Sequence, residues 1–278
     1  MKKMMGLADS HMHLFATGYP GRYGALFPRG RELEVYQAMR SSHHISKSLV
    51  VGYEAEAWAR GNNRYIAHLA QEHAWMVPLA FCPSATSPSE KQIALWWQQG
   101  FSGISLYLSE KADLESVLSW SEETLAAINE RRAILSINIP LKHMKALLPF
   151  ARRLSEARIL LSHLGLPGHV RGKISEGSAR RRLSPLLALS ELPQVGVKIS
   201  AFYACNDYPH HALSPMVAAV AEHFGPKRLY WGSDYSPALD FVSFAQSLDA
   251  ARFLLPPSVP FSGVLSNNLT AVMARVRR

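Results

Sequence analysis

The sequence predicts a (β/α)8 barrel of the TIM type, and three observations support this fold class. A chain of 278 residues has an ordinary length for one such barrel. Eight short apolar runs alternate with longer amphipathic segments, which indicates a parallel sheet covered by helices. No glycine-rich phosphate-binding turn follows the first run, and this counts against the alternative, an open doubly wound sheet. We therefore expect one barrel domain over residues 1–278.

The eight apolar runs have the length and composition of buried parallel strands. They cover residues 6–14, 47–53, 76–81, 103–108, 134–139, 158–162, 195–200 and 228–232. The segments between them predict helices at 31–43, 54–73, 89–99, 113–132, 141–156, 184–191, 214–224 and 241–254, and a closing helix at 262–276. The long, glycine-containing stretch 165–179 predicts either a cover over a site or a plain solvent loop.

Composition narrows the function classes. With 48% hydrophobic and 18% charged residues the chain can build a large core, so disorder is excluded. The net charge of +9 is consistent with an anionic substrate or with a basic surface that has no specific role. No basic-aromatic stripe or known module favours nucleic acid. Two distant cysteines indicate neither a disulfide framework nor a zinc ribbon.

The sequence also predicts where the protein works. It contains no apolar run of the length that a transmembrane helix needs. The N-terminal residues before Asp9 include no apolar stretch long enough for a signal peptide. We therefore expect a cytoplasmic protein with a small-molecule substrate and with neither a membrane nor a nucleic-acid partner.

The first predicted strand ends in a His-x-His pair. Side chains two residues apart in a strand point to the same face, so His11 and His13 project together. Two imidazoles on one strand face are costly to bury without partners, which indicates a metal or a polarised substrate oxygen. By itself the pattern is weakly specific, but its position at the carboxyl end of a barrel strand strengthens it.

Two other strands deliver polar residues at their carboxyl ends. His163 follows the sixth predicted strand, and Asp234 follows the eighth. Taken singly, His163 suits a structural histidine and Asp234 suits a helix cap. Because the carboxyl ends of barrel strands converge on one mouth, we expect both to face His11 and His13. Three imidazoles and a carboxylate form an acid-base or metal-binding set.

These segments together resemble the amidohydrolase superfamily, most closely its amidohydrolase-2 branch. The resemblance rests on Asp-Ser-His-Met-His at 9–13, Ser-His-Leu-Gly at 162–165, Val-Lys-Ile-Ser at 197–200, Trp-Gly-Ser-Asp-Tyr at 231–235 and Ser-Asn-Asn-Leu at 266–269. It implies a (β/α)8 barrel and an activity among sugar lactonases, dicarboxylate lactonases and metal-dependent decarboxylases. It also implies a homodimer as a reasonable expectation.

One departure from the family pattern concerns the metal. Metal-dependent members usually carry a histidine at the end of the fifth strand, where this chain has Asn138. An amide is a poorer zinc ligand than an imidazole. The resemblance then implies either no cofactor or one weakly held divalent metal, zinc or manganese, bound by His11, His13 and Asp234.

A second departure concerns the substrate. Dicarboxylate lactonases of the family tend to hold their anion with an arginine after the fourth strand, where this chain has Ser105 or Tyr107. Tyr203 stands at another anchoring position after the seventh strand, so a neutral or aromatic pocket is expected. Arg22, with Tyr23 and Arg29 in the same loop, is the candidate for gripping a carboxylate.

The expected activity is hydrolysis of a small carbonyl compound, most plausibly a lactone. Asp234 would act as general base while His11, His13 and His163 polarise the carbonyl. Tyr107, Asn138, Tyr203 and Arg22 are the expected substrate-binding residues. The alternatives are a metal-dependent decarboxylase or hydratase, and a binding protein that has lost catalysis. The complete set of three histidines and one aspartate counts against the binding protein.

Overall fold

The computed structural model describes residues 6–22, 24, 30–84 and 87–277 and confirms the predicted (β/α)8 barrel. Eight parallel strands pair in chain order. They are β1 Leu7–Met12, β2 Ile45–Val51, β3 Met76–Phe81, β4 Gly103–Tyr107, β5 Ile134–Asn138, β6 Arg158–Leu161, β7 Val195–Ile199 and β8 Leu229–Trp231. Every strand overlaps its predicted run, because continuous apolar runs of this length are typical of strands buried on both faces.

The helices form the outer layer. They are α1 Glu32–Ser42, α2 Asn62–Glu72, α3 Glu90–Gln98, α4 Lys111–Leu118, α5 Glu122–Arg131, α6 Leu141–Met144, α7 Leu148–Arg153, α8 Glu176–Leu187, α9 Ser214–Phe224, α10 Phe244–Leu254 and α11 Asn268–Met273. None of the helices in the described part of the chain has the length and apolar character needed to cross a bilayer.

Several helix boundaries differ from the prediction: the segments 113–132 and 141–156 each form two helices, and the closing helix begins at Asn268. Three further differences have local reasons. The segment predicted from residue 54 becomes helical only at Asn62, because Gly61 takes a left-handed conformation with φ of 78°. Helix α8 begins eight residues earlier than predicted, where the Ser175 hydroxyl caps the N–H of Ser178. The stretch predicted as a loop over 165–179 therefore ends at Ser175. Helix α10 begins late, at a capping box formed by Ser243 and Gln246.

The amino-terminal end of the barrel is plugged by α11. Leu269 and Val272 of this helix belong to one buried cluster with Ala8, Leu49 and Leu160 of the strands. The closing helix therefore fills the lower end of the barrel, and the polar residues are left at the carboxyl ends of the strands.

The last strand returns to the first. The N–H of Asp234 donates to the carbonyl of His11 at 2.8 Å, and Met12 pairs with Tyr235 in an isolated parallel bridge. This junction between β1 and the segment after β8 places the His-x-His pair directly beside Asp234.

Candidate active site

Four side chains predicted from strand ends meet at the carboxyl mouth of the barrel. His11, His13, His163 and Asp234 are all buried. Oδ1 of Asp234 lies 3.6 Å from Nε2 of His11, 3.7 Å from Nε2 of His13 and 4.0 Å from Nε2 of His163. One carboxylate oxygen thus faces three imidazole nitrogens.

The backbone at the mouth is strained where the chemistry lies. His163, Ala201 and Asp234 adopt positive φ angles of 56°, 48° and 54°, which cost side-chain-bearing residues about 1–3 kcal/mol each. Each follows the end of a strand, β6, β7 or β8. Such conformations persist only where the surroundings enforce them, and they concentrate at functional sites.

His13 has a defined hydrogen-bond direction. Its Nδ1 lies 2.8 Å from the carbonyl oxygen of Val51, which can only accept, so Nδ1 carries a proton. Burial lowers the pKa of His13 to about 4, so the ring is neutral near pH 7. Its Nε2 therefore presents a lone pair to the site.

His163 is held by a hydroxyl. Its Nδ1 lies 3.0 Å from Oγ of Ser200, the residue after β7. Burial, with a smaller effect of Lys198, lowers the pKa of His163 to about 3. The ring is therefore a neutral hydrogen-bonding group whose Nε2 points at Asp234.

Asp234 is a buried carboxylate with few donors. Burial raises its pKa to about 7, although a 2.5 Å hydrogen bond from the Tyr203 hydroxyl to Oδ2 and the charge of Lys198 oppose that rise. The Tyr203 hydroxyl stays protonated because burial and the nearby carboxylate raise its pKa well above the usual range. A carboxylate that titrates near pH 7 is suited to accept and return a proton.

The site opens into a cavity of about 360 Å³, a size suited to a small organic molecule. Its lining includes Tyr107, Asn138 and Tyr203, which the sequence analysis named as substrate-binding residues. Tyr53 and Trp58 also line it. Ser105, the alternative to Tyr107, instead donates to the Gly52 carbonyl at 2.6 Å. Among the described residues that line the cavity there is no lysine or arginine.

Arg22 does not line this cavity in the described structure. Its backbone N–H donates to Oδ2 of Asp240 at 2.7 Å, and its guanidinium lies 5.6 Å from the centroid of the Phe241 ring. Phe241 in turn stacks on Tyr203 with centroids 4.5 Å apart. Tyr23 and Arg29, named with Arg22 from the sequence, lie outside the described residues.

Lys198 is the residue that sequence reasoning quoted in a motif but did not assign to the site. It is completely buried on β7, with Nζ 3.0 Å from Nδ1 of His11 and 2.6 Å from Oγ of Ser136. Burial lowers its pKa to about 7, against the opposing charges of Asp234 and Asp9. The available signal was a single lysine inside an apolar parallel strand, where an unpaired cation is costly.

Asp9 supports the site from below. It is buried and accepts hydrogen bonds from the backbone N–H groups of His11 and Ser233, at 3.1 and 2.9 Å. Its other oxygen accepts from the hydroxyls of Ser233 and Tyr36, at 2.5 and 2.9 Å. Asp9 thus ties β1 to the segment that carries Asp234.

Three side chains could supply ligands to a divalent metal, but only part of their surroundings suits one. Ligand atoms of His11, His13 and Asp234 lie within 4.8 Å of one another. His13 has the carbonyl partner that an imidazole ligand usually has on its other nitrogen. His11 instead has the Lys198 amine at that position, which does not suit a ligand. The number of ligand atoms and the distances between them therefore fit a metal ion. The contact between Lys198 and the second ring nitrogen of His11 does not fit one.

Comparison with known proteins places the chain. The family model described as Amidohydrolase matches residues 8–260. An L-fucono-1,5-lactonase from Burkholderia ambifaria is 35% identical over 97 residues, which are 34% of this chain and 31% of that protein. The match therefore spans less than a third of the lactonase.

Solved structures share the fold. An amidohydrolase from Burkholderia multivorans with bound zinc superposes with a TM-score of 0.80 at 17% identity, over 97% of this chain and 99% of that one. A protein described as a 2-pyrone-4,6-dicarboxylic acid hydrolase from Pseudomonas putida gives 0.76 at 22% identity, over 99% and 100%. A 2,6-dihydroxybenzoate decarboxylase from Rhizobium gives 0.58 at 13% identity, over 98% and 99%.

The match to the family model covers most of the chain, including all eight strand ends that form the mouth of the barrel. This protein belongs to the amidohydrolase family.

Proposed function

We propose that the protein hydrolyses a small, uncharged lactone, with Asp234 as the general base. The observation that carries this proposal is the position of Oδ1 of Asp234, which faces three neutral imidazoles at 3.6–4.0 Å beside a cavity of about 360 Å³. Lactone hydrolysis needs a base for water, donors for the oxyanion and a proton for the leaving oxygen, and this cluster offers all three.

Asp234 performs the proton transfers. Its carboxylate removes a proton from a water molecule as the water oxygen attacks the carbonyl carbon of the lactone. The tetrahedral intermediate then collapses, the bond from that carbon to the ring oxygen breaks, and Asp234 returns the proton to the ring oxygen. The product is the open hydroxy acid, whose new carboxyl group keeps the second proton of the water, and Asp234 is again ionised.

The imidazoles divide the remaining work. A neutral His11 or His163 donates an N–H to the developing oxyanion, because burial keeps both rings uncharged. His13 is suited to accept a hydrogen bond through Nε2 and not to donate one to the oxyanion, since its proton is directed to the Val51 carbonyl. This changes the role expected of His13 from the sequence, where it was grouped with the residues that polarise the carbonyl.

The cavity supports a neutral substrate. Its walls include Phe15, Tyr19, Tyr53, Trp58 and Tyr107, and no described lining residue carries a positive charge. Aromatic walls with hydroxyl edges suit the mixed apolar and polar faces of a sugar-derived or aryl lactone. An anionic substrate, the alternative left open by the net charge, would find Glu56 in the lining and no cation among the described lining residues to pair with. The partial match to an L-fucono-1,5-lactonase supports a sugar lactone.

The test is a panel of neutral aldonolactones and a 2-pyrone dicarboxylate, assayed with and without chelator. We expect chelator-resistant hydrolysis of at least one neutral lactone and none of the dicarboxylate. The Asp234→Asn variant should abolish that activity, and Asp249→Asn, at an exposed carboxylate of α10 beside Arg252, should leave it unchanged. Normal turnover by Asp234→Asn would exclude the proposed base.

A second candidate function is metal-dependent decarboxylation of an aromatic acid. The observation in its favour is the trio His11, His13 and Asp234, whose donor atoms lie within 4.8 Å of one another. A divalent ion held there would supply a Lewis acid for a carboxylate or carbonyl oxygen. Carbon dioxide release from dihydroxybenzoates that a chelator abolishes would favour this candidate over lactone hydrolysis.

A further inference from the structure

The hydrogen bonds of the site have a direction that starts at a backbone carbonyl. The carbonyl oxygen of Val51 can only accept, so the bond from Nδ1 of His13 fixes the proton of that ring on Nδ1. In a neutral His13, Nε2 is then an acceptor.

The same argument reaches His11. Nε2 of His11 lies 3.1 Å from Nε2 of His13, and two ring nitrogens at that distance need one proton between them. Because His13 Nε2 is the acceptor, His11 Nε2 carries the proton. Nδ1 of His11 is therefore the acceptor on the opposite edge of the ring.

Both groups on that opposite edge can donate to Nδ1. Nζ of Lys198 lies 3.0 Å from Nδ1 of His11, and the hydroxyl of Ser162 lies 3.4 Å from it. Lys198 is completely buried on β7, and its 2.6 Å bond to Oγ of Ser136 fixes the direction of its amine. An amine N–H pointing at Nδ1 is compatible with only one neutral form of His11, the form protonated on Nε2.

We infer that Lys198 is a positioning residue that holds His11 with its proton on Nε2, so that this N–H donates to Nε2 of His13 in the free protein and a metal at His11 is disfavoured. What the N–H does for a lactone carbonyl rests on the proposed function. The tautomer and its effect on metal binding do not.

The effect on a metal follows from the ligand chemistry. A zinc-bound imidazole offers the lone pair of one nitrogen and donates the proton on the other, commonly to a carbonyl or carboxylate. His13 is arranged in this way through Val51, but His11 would have to move its proton to Nδ1, where it would point at the Lys198 amine. Partners on that second nitrogen change metal affinity by about 10- to 100-fold.

The first test reads the tautomer in the wild-type protein after extensive chelator treatment. Long-range proton–nitrogen correlation spectra of a 15N-histidine-labelled sample distinguish protonated from bare ring nitrogens, and a His11→Gln variant assigns the signals. We expect a bare Nδ1 and a protonated Nε2 for His11 at pH 7.5. The reverse assignment would overturn the inference, and a protein that hydrolyses no lactone would leave this readout unaffected.

The second test measures zinc binding to chelator-treated protein by calorimetry for Lys198→Met. Methionine has nearly the same length as lysine but cannot donate, so His11 becomes free to move its proton to Nδ1. We expect zinc to bind at least about tenfold more tightly than to the wild type. The matched control, Lys142→Met on an exposed helix position, should bind zinc as the wild type does.

Unchanged zinc affinity in a folded Lys198→Met protein would also overturn the inference. Lys198→Arg keeps a donor opposite Nδ1 and should retain the weak zinc binding of the wild type. If either substitution prevents folding, the tautomer measured in the wild-type protein decides the question.

Discussion

Two buried carboxylates lie on either side of the junction between β1 and β8, and they differ in how completely they are hydrogen-bonded. Asp9 accepts from two backbone N–H groups and two hydroxyls. Asp234 accepts from the Tyr203 hydroxyl on one oxygen, and its other oxygen faces three imidazole nitrogens at 3.6–4.0 Å. Both residues are at most 4% exposed.

The difference separates a structural carboxylate from a chemical one. Burial raises the pKa of both groups, because a desolvated charge is costly. Both oxygens of Asp9 accept hydrogen bonds from neighbouring parts of the chain. At Asp234 only one oxygen does so, and the other can accept a proton from the water that attacks the substrate. A count of hydrogen-bond donors thus distinguishes two aspartates that burial alone does not.

We expect the largest effect to be the loss of activity when Asp234 is replaced. Asp234→Asn should lower kcat by about 10²- to 10⁴-fold, the range that a general base contributes, because the amide cannot accept a proton. Asp9→Asn should retain more activity, since Asp9 is fully buried and does not line the cavity. Kinetics of both purified variants on the best neutral lactone measure this, and equal losses would break the distinction between the two carboxylates.

The pH dependence of stability should carry the signature of Asp234. Its pKa is raised from 3.8 to about 7, so between those values the folded state holds a proton that the unfolded state has released. The contribution of this group to stability is complete below pH 4 and is lost as pH rises to 7. Urea unfolding should therefore show Asp234→Asn gaining on the wild type from pH 4 to 7, by less than about 1.4 kcal/mol per pH unit.

Comparison of the two proteins below pH 7 avoids the titration of Lys198. The pKa of Lys198 is lowered to about 7, so its contribution to stability starts to change with pH only near that value and rises above it. The titrations of His13 and His163 occur in both proteins and largely cancel in the difference. Asp249→Asn, at an exposed position of α10, serves as the control and should follow the wild-type curve. Parallel curves for wild type and Asp234→Asn would show that Asp234 titrates at an ordinary pKa in the folded protein.

Replacing Asp9 should affect stability directly. Asp9→Ala leaves the N–H groups of His11 and Ser233 buried without their acceptor, and each such loss costs about 1–3 kcal/mol. Urea unfolding at pH 7 measures the loss against Asp234→Asn, which should not be destabilised. A stable Asp9→Ala variant would mean that water or a rearranged backbone satisfies those groups.

The sequence predicted the residues whose position follows from one strand. His11, His13, His163 and Asp234 each stand at the end of an apolar run, and in a barrel all such ends share one mouth. The sequence did not predict contacts between residues on strands that are far apart along the chain. Lys198 meets His11 across 187 positions and Ser233 meets Asp9 across 224, and both meetings depend on barrel registry that no local pattern encodes.

Loop positions were less predictable than strand ends. Arg22 was expected at the mouth because its loop follows β1, but its backbone N–H bonds to Asp240 and its guanidinium lies over Phe241. The aromatic wall from Trp58 was not identified, since it stands in a single 3₁₀ turn at Ala57–Ala59 rather than at a strand end. Pocket specificity in barrels resides in such loops.

The smallest predicted effect tests the single hydroxyl on Asp234. Tyr203→Phe removes the hydrogen bond that lowers the pKa of Asp234, so that pKa should rise above about 7. Because the base must be ionised, the acid limb of the kcat/KM profile should move to higher pH. Activity at pH 6 should fall roughly tenfold, the size expected for a hydrogen bond to a charged group, and should recover at high pH.

The outcome distinguishes two roles for Tyr203. If the hydroxyl only lowers the pKa of Asp234, its removal shifts the kcat/KM profile to higher pH and leaves the plateau at high pH nearly unchanged. If the hydroxyl instead binds the substrate, its removal raises KM and lowers kcat/KM at every pH, including the plateau at high pH. Tyr53→Phe, which removes a hydroxyl bonded to Glu56 at 3.3 Å elsewhere in the same cavity, is the matched control and should leave the acid limb in place. A shift of the acid limb in Tyr203→Phe alone would show that the sparse hydrogen bonding of Asp234, in contrast to Asp9, sets the pH at which the enzyme works.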